Sequence, residues 1–126
     1  MAKLTYPAVQ QYLIDLVPAR DQEMQEMEKY AAKMDFPIIG SAAGCVCYQI
    51  APMIIARSVF EMESGFGYST AWFAKALLEN GGGVVHQVVW DDELSKMATV
   101  FQSRDTDMVG SSVVTISKYS RSVVHI

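Results

Sequence analysis

The sequence predicts an α/β fold, a helical amino-terminal segment followed by a short, mainly parallel sheet. Three observations lead there. Apolar residues recur at helical spacing through the first third of the chain, at Val9, Tyr12, Leu13, Leu16 and Val17 and again at Met24, Met27, Ala31 and Met34. Two apolar runs of strand character follow, Ser58-Val59-Phe60-Glu61-Met62 and Val84-Val85-His86-Gln87-Val88-Val89-Trp90. Between them a helical stretch carries Trp72, Phe73, Ala76 and Leu77 on one face, and the order strand, helix, strand predicts parallel pairing through a crossover.

Each element has its own punctuation. A first helix over residues 5–17 ends at Pro18, and a second opens at Arg20-Asp21 and runs to Met34. Glu23, Glu26 and Glu28 crowd its first half, where carboxylates favour the helix dipole, so they read as a solvated face. Asp35-Phe36-Pro37-Ile38-Ile39-Gly40 breaks the pattern before a third helix over residues 41–56, which Pro52 should kink or split. Val59, Phe60 and Met62 suit a strand buried in a sheet. Gly65 and Gly67 permit a tight turn, and Ser69 or Thr70 caps a helix that Asn80-Gly81-Gly82-Gly83 terminates. After the second strand, Asp91, Asp92 and Glu93 begin a helix reaching about Phe101. The remainder, residues 99–126, has no leucine and is rich in serine. Its two β-branched runs, residues 113–116 and 123–126, form either a hairpin or two separate strands.

Composition bounds the function. At 126 residues, 51% of them hydrophobic and 19% charged, the chain is long enough for one folded domain. A net charge of −4 with no basic patch excludes nonspecific nucleic-acid binding. No apolar run approaches the roughly 20 residues of a membrane span, and the amino terminus lacks the features of a signal peptide, so a soluble, cytoplasmic protein is expected. Cys45 and Cys47 are too close in sequence for an easy disulfide, and neither His86 nor His125 completes a metal-ligand set with them. They are expected to be buried thiols, with no metal site.

The turn after the first strand is where a ligand would sit. Unpaired backbone N–H groups at a helix start hold anionic or polar groups, and glycines let a ligand approach the main chain. The words around this turn, Glu61-Met62-Glu63-Ser64-Gly65-Phe66-Gly67-Tyr68-Ser69-Thr70, resemble the first motif of the class I S-adenosylmethionine-dependent methyltransferases, specifically the small-molecule O-methyltransferases. The resemblance implies a partial Rossmann-like fold, with residues 1–57 as the helical segment, 58–98 as the first half of the cofactor-binding core and 99–126 as a divergent tail, all in one domain. It also implies S-adenosylmethionine as cofactor. Glu61, Glu63, Ser64, Gly65, Gly67, Tyr68 and Ser69 would surround its amino-acid end. Asp91 would accept hydrogen bonds from its ribose, and Ile39, Gly40 and Ser41 would line the pocket. From the residues alone, the loop before the third helix reads equally as a plain turn, and Asp91 or Asp92 as a helix cap.

The family usually has glycine where this chain has Glu63, so weakened or lost cofactor binding is expected. In the metal-dependent members, ligands come from strands later in a domain nearly twice this long, which leaves activity and catalytic residues unassigned. The functional expectation is methyl transfer to a small-molecule hydroxyl. The alternatives are a non-catalytic binding or assembly module of the same fold and, more distantly, a dinucleotide-binding domain. Self-association is also expected, with the methionine-bearing helices as a seam.

Overall fold

The structure is a computed structural model, and it describes residues 6–62, 65–89, 91–104 and 114–118. Helices α1 (Pro7–Asp15), α2 (Gln22–Lys33) and α3 (Gly40–Met53) precede strand β1 (Ser58–Met62). Helix α4 (Tyr68–Glu79), β2 (Val84–Val89), α5 (Asp92–Arg104) and β3 (Val114–Lys118) then alternate. The strands form one sheet in the order β1-β2-β3, parallel throughout, with Phe60 opposite His86 and Val88 opposite Ser117. The α/β expectation therefore holds, and the sheet extends one strand further than the motif alone implied. The β-branched run placed at residues 113–116 is this third strand, displaced by about a residue. The run at 123–126 lies outside the described residues.

Local chemistry explains the boundaries. Asp21 caps α2, its side-chain oxygen accepting from the Met24 N–H at 2.8 Å. Pro52 does not split α3. It sits in the last turn, and the helix closes at Met53 instead of Ala56. Beyond it the Ile55 N–H donates to the Pro52 carbonyl and the Ala56 N–H to the Ala51 carbonyl, both at 2.9 Å, which closes the helix in a Schellman turn. Such a turn requires a left-handed residue, and Ile55 fills the position at φ 53°. A β-branched side chain there is strained, while 68% of its surface remains in water. Ile55→Gly is accordingly expected to stabilise the chain by about 1 kcal/mol, net of glycine's greater unfolded-state entropy, visible as a rise of several degrees in thermal melting.

The core lies on one face of the sheet. Met24 and Met27 of α2, Cys45 of α3, and Tyr68, Ala71 and Trp72 of α4 form its main cluster, joined by Met97 and Phe101 of α5. A second cluster sets Ala74 and Leu77 on Val85 and Val59. Met24 and Met27 of the helical segment are buried here, whereas Met34 and Met53 stay exposed. Helix α1 differs from its sequence pattern in the opposite sense, because none of its residues is buried. Its Leu13, with Leu16 just past its end, lines an open apolar groove of about 420 Å³ against Ala42, Ala43 and Val46 of α3.

Strand β1 departs from expectation too. Val59 and Glu61 face the helices, but Phe60 and Met62 are 64% and 70% exposed on the opposite face. None of the described helices packs on that face. Among the described residues, no helix is long and apolar enough to cross a membrane.

Candidate cofactor site

The site is built where β1 turns into α4. Gly65 and Gly67 both adopt left-handed angles, φ 58° and 96°, and Gly67 is the residue that caps α4. The helix therefore begins at Tyr68, and neither Ser69 nor Thr70 caps it. Thr70 instead reaches back to β1, its hydroxyl donating to a Glu61 carboxylate oxygen at 2.5 Å. Phe66 is driven inward between the two glycines. It is 1% exposed and packs on Phe36, Tyr30 and Phe101 with ring centroids 5.1 to 5.7 Å apart, which pins the turn to the core.

A pocket of about 190 Å³ opens above this turn. Gly65, Phe66, Tyr68 and Ser69 form one wall, and the loop Phe36, Pro37, Ile38 and Ile39 forms the other. A Cβ on residue 65 would stand 3.1 Å from the Phe36 ring, so a side chain there would fill the space that glycine leaves. The turn is also tied to the sheet. Gln87, fully buried and opposite Glu61 in register, directs its amide toward the Gly65 carbonyl at 3.4 Å.

Of the residues singled out in the sequence, Ile39, Gly65, Tyr68 and Ser69 converge on this pocket, with Glu61 tied to the same helix through Thr70. Gly40 starts α3 at φ 77° and Ser41 follows it, both outside the pocket lining. Asp91 is exposed, and its side-chain oxygen accepts from the Glu93 and Leu94 N–H groups at 2.9 and 3.0 Å, which is the helix-cap role. Glu63 and Ser64 lie outside the described residues. Sequence reading missed Thr70 as a partner of Glu61 and Gln87 as a core residue, and it placed on a solvated face Glu28, which accepts from Arg20 and Tyr68 instead. Alternation along β2 could have found Gln87, because it occupies a core-facing position between Val85 and Val89.

Burial pushes the Glu61 carboxyl above the usual carboxylate range, against hydrogen bonds from Thr70 and Ser69 that pull it down. Burial and the nearby Glu61 charge likewise raise the Cys47 thiol, making it a poor nucleophile. Because the folded chain holds the Glu61 proton more tightly than the unfolded one, ionisation costs stability as pH climbs above the ordinary value near 4.3. Glu61→Gln, which keeps an acceptor for Thr70, is expected to raise the melting temperature at pH 7 and to change it little at pH 4. Paired thermal melts at those two pH values check this.

No family model matches the chain, and no curated protein matches it in sequence. Solved structures do match. A methyltransferase from Geobacter sulfurreducens superimposes with a TM-score of 0.76 at 21% identity, covering 92% of this chain and 60% of that one. An O-methyltransferase from Bacillus cereus, in complex with SAH, gives 0.74 at 23% identity over 88% and 49% of the two chains. TomG, an O-methyltransferase from Streptomyces achromogenes in complex with SAM, gives 0.70 at 20% identity over 86% and 48%. The chain has the fold of the class I methyltransferases. It spans about half to three fifths of the length of these proteins.

Proposed function

We propose that this chain binds S-adenosylmethionine and acts as an O-methyltransferase-type protein on a small-molecule hydroxyl. The observation that carries the reading is the convergence of Gly65, Tyr68 and Ser69 with the Phe36–Ile39 loop on one pocket, where α4 is tied through Thr70 to the half-buried Glu61 carboxylate. The residues fit one end of the cofactor. At about 190 Å³ the pocket is smaller than the roughly 300–1,000 Å³ of most small-molecule sites, so it would take the amino-acid end and leave the rest of the molecule at the rim.

When bound, the cofactor supplies an electrophilic methyl group on sulfur. The chain's own contribution is positioning. The left-handed turn presents backbone N–H groups at the start of α4, the Phe36 and Phe66 rings exclude water, and ionised Glu61 offers a charge for an ammonium group. The acceptor's proton needs a separate base, for which this geometry nominates no residue. A second reading, a non-catalytic module that keeps only the cofactor end, is favoured by the size of the pocket and by Glu63.

Calorimetric titration with S-adenosylmethionine separates these outcomes. Glu63→Gly is expected to bind at least about tenfold more tightly than the native chain, a difference of about 1.4 kcal/mol. Equal tight binding by both would clear Glu63 of any effect, and no binding by either would refute the cofactor reading.

A further inference from the structure

A second cavity, of about 70 Å³, lies where the linker between α1 and α2 meets α3 and α4. It shares no lining residue with the cofactor pocket. Pro18 and Arg20 of the linker form one side, Tyr48 of α3 another, and Trp72 and Lys75 of α4 the third. The Tyr48 and Trp72 rings meet edge to face with centroids 6.1 Å apart, and Trp72 is buried in the core, so this part of the wall is firm.

Charge sets this cavity apart from the rest of the chain. Acidic side chains outnumber basic ones by 14 to 10 overall, yet the cavity lining holds two cations and no carboxylate. Arg20 gives Nε and Nη2 to Glu28 at 2.8 and 2.9 Å, and its Nη1 has no partner among the described residues. Lys75 is partly buried and has no ion pair or hydrogen bond to any described residue. The nearest acids are already engaged. Glu28 accepts from Arg20 and from the Tyr68 hydroxyl, while Glu79, one turn along α4 from Lys75, accepts from the Tyr48 hydroxyl. A lysine drawn partly out of water beside a second cation is unfavourable unless an anion joins them.

We infer that this cavity binds a tetrahedral oxyanion, a phosphoryl or sulfate group, between Lys75 and Arg20. The dimensions select that chemistry. A volume of about 70 Å³ matches about two waters at roughly 30 Å³ each, enough for one compact oxyanion. It is far below the roughly 300–1,000 Å³ of a site that encloses a whole small molecule, so anything larger leaves its remainder outside. Lys75 supplies a point charge with three donors, and Nη1 of Arg20 supplies two more, a set that suits several oxygens on one centre. The inference is independent of cofactor binding.

Calorimetric titration of the native chain with inorganic phosphate at low ionic strength tests it. One saturable site is expected, with a dissociation constant on the order of 1 mM. Lys75→Met keeps an aliphatic stem and removes the charge, and it should weaken binding at least about tenfold with circular dichroism unchanged. Lys96→Met removes an equal charge from an exposed pair with Glu93 on α5 and should leave binding as it was. Phenyl phosphate distinguishes the sources of the group. Tighter binding than inorganic phosphate supports the site as the anchor of a larger phosphomonoester, and weaker or no binding supports it as a site for the free ion. Absence of saturable phosphate binding up to about 20 mM would overturn the inference. So would a Lys75→Met chain that binds like the native one, or equal losses in Lys75→Met and Lys96→Met, which mark general charge attraction.

Discussion

Gly44→Ala is expected to destabilise the chain by about 2 kcal/mol or more, against the usual sign of a glycine-to-alanine change inside a helix. In an open helix position, alanine gains roughly 1 kcal/mol over glycine from backbone entropy. Gly44 is not open. It is buried in the middle of α3, and a Cβ built on it would lie 2.1 Å from Nε1 and 2.3 Å from Cδ1 of the Trp72 indole. Trp72 is 4% exposed, with Tyr48 against its edge, and a rigid ring so enclosed cannot swing aside as a flexible chain would. Overpacking of this kind costs about 1–3 kcal/mol and the clash here is severe, so the loss exceeds the propensity gain. Urea denaturation should show a lower midpoint at unchanged slope, and the melting temperature should fall by about 10 °C or more. Trp72→Leu in the same chain should recover part of the loss, giving a non-additive double-mutant cycle.

Gly44 illustrates which features the sequence could not express. Helical periodicity and the glycine turn identified the order of elements, the parallel pairing and the wall of the pocket that comes from β1 and α4. These are local signals, readable within ten residues. Contacts between distant segments leave no such mark. Nothing near Gly44 announces an indole twenty-eight residues later, and nothing in α2 tells Glu28 from the solvent-facing acids around it. The exposure of Phe60 and Met62 was illegible for another reason. Strand composition reports affinity for a sheet but not which of its faces the helices cover. A carboxylate at the end of β2 serves a ribose or a helix cap with the same side chain, and Asp91 makes the cap contacts of α5 in this structure.

Glu28→Ala should be the most damaging change away from the close-packed core, because Glu28 joins the helical segment to the first residue of α4. Its carboxylate accepts from Nε and Nη2 of Arg20 at 2.8 and 2.9 Å and from the Tyr68 hydroxyl at 2.6 Å. The pair is mostly buried, with about a fifth of each charged side chain exposed. Burial pushes the Glu28 carboxyl up, but the bonds from Arg20 and Tyr68 together outweigh it and hold the group below the usual carboxylate range. Burial and the bond to Glu28 raise the Tyr68 hydroxyl in turn, so it stays a donor at any working pH. Removing the acceptor strands a guanidinium and a phenol together. Losses of about 3–5 kcal/mol follow for fully buried pairs, and partial exposure reduces the expected figure to about 2–3 kcal/mol at pH 7. Tyr68→Phe removes one bond and should cost about 1 kcal/mol. The pH dependence carries the signature of the pair. A lowered folded-state value means that the stabilisation is present above the ordinary carboxylate value and is lost as pH falls through the folded one. Native and Glu28→Ala chains should therefore differ most in denaturation midpoint near neutrality and converge below about pH 4. The same substitution frees Tyr68, which follows Gly67 directly, so amide exchange across residues 65–69 should quicken in Glu28→Ala before exchange in β2 does.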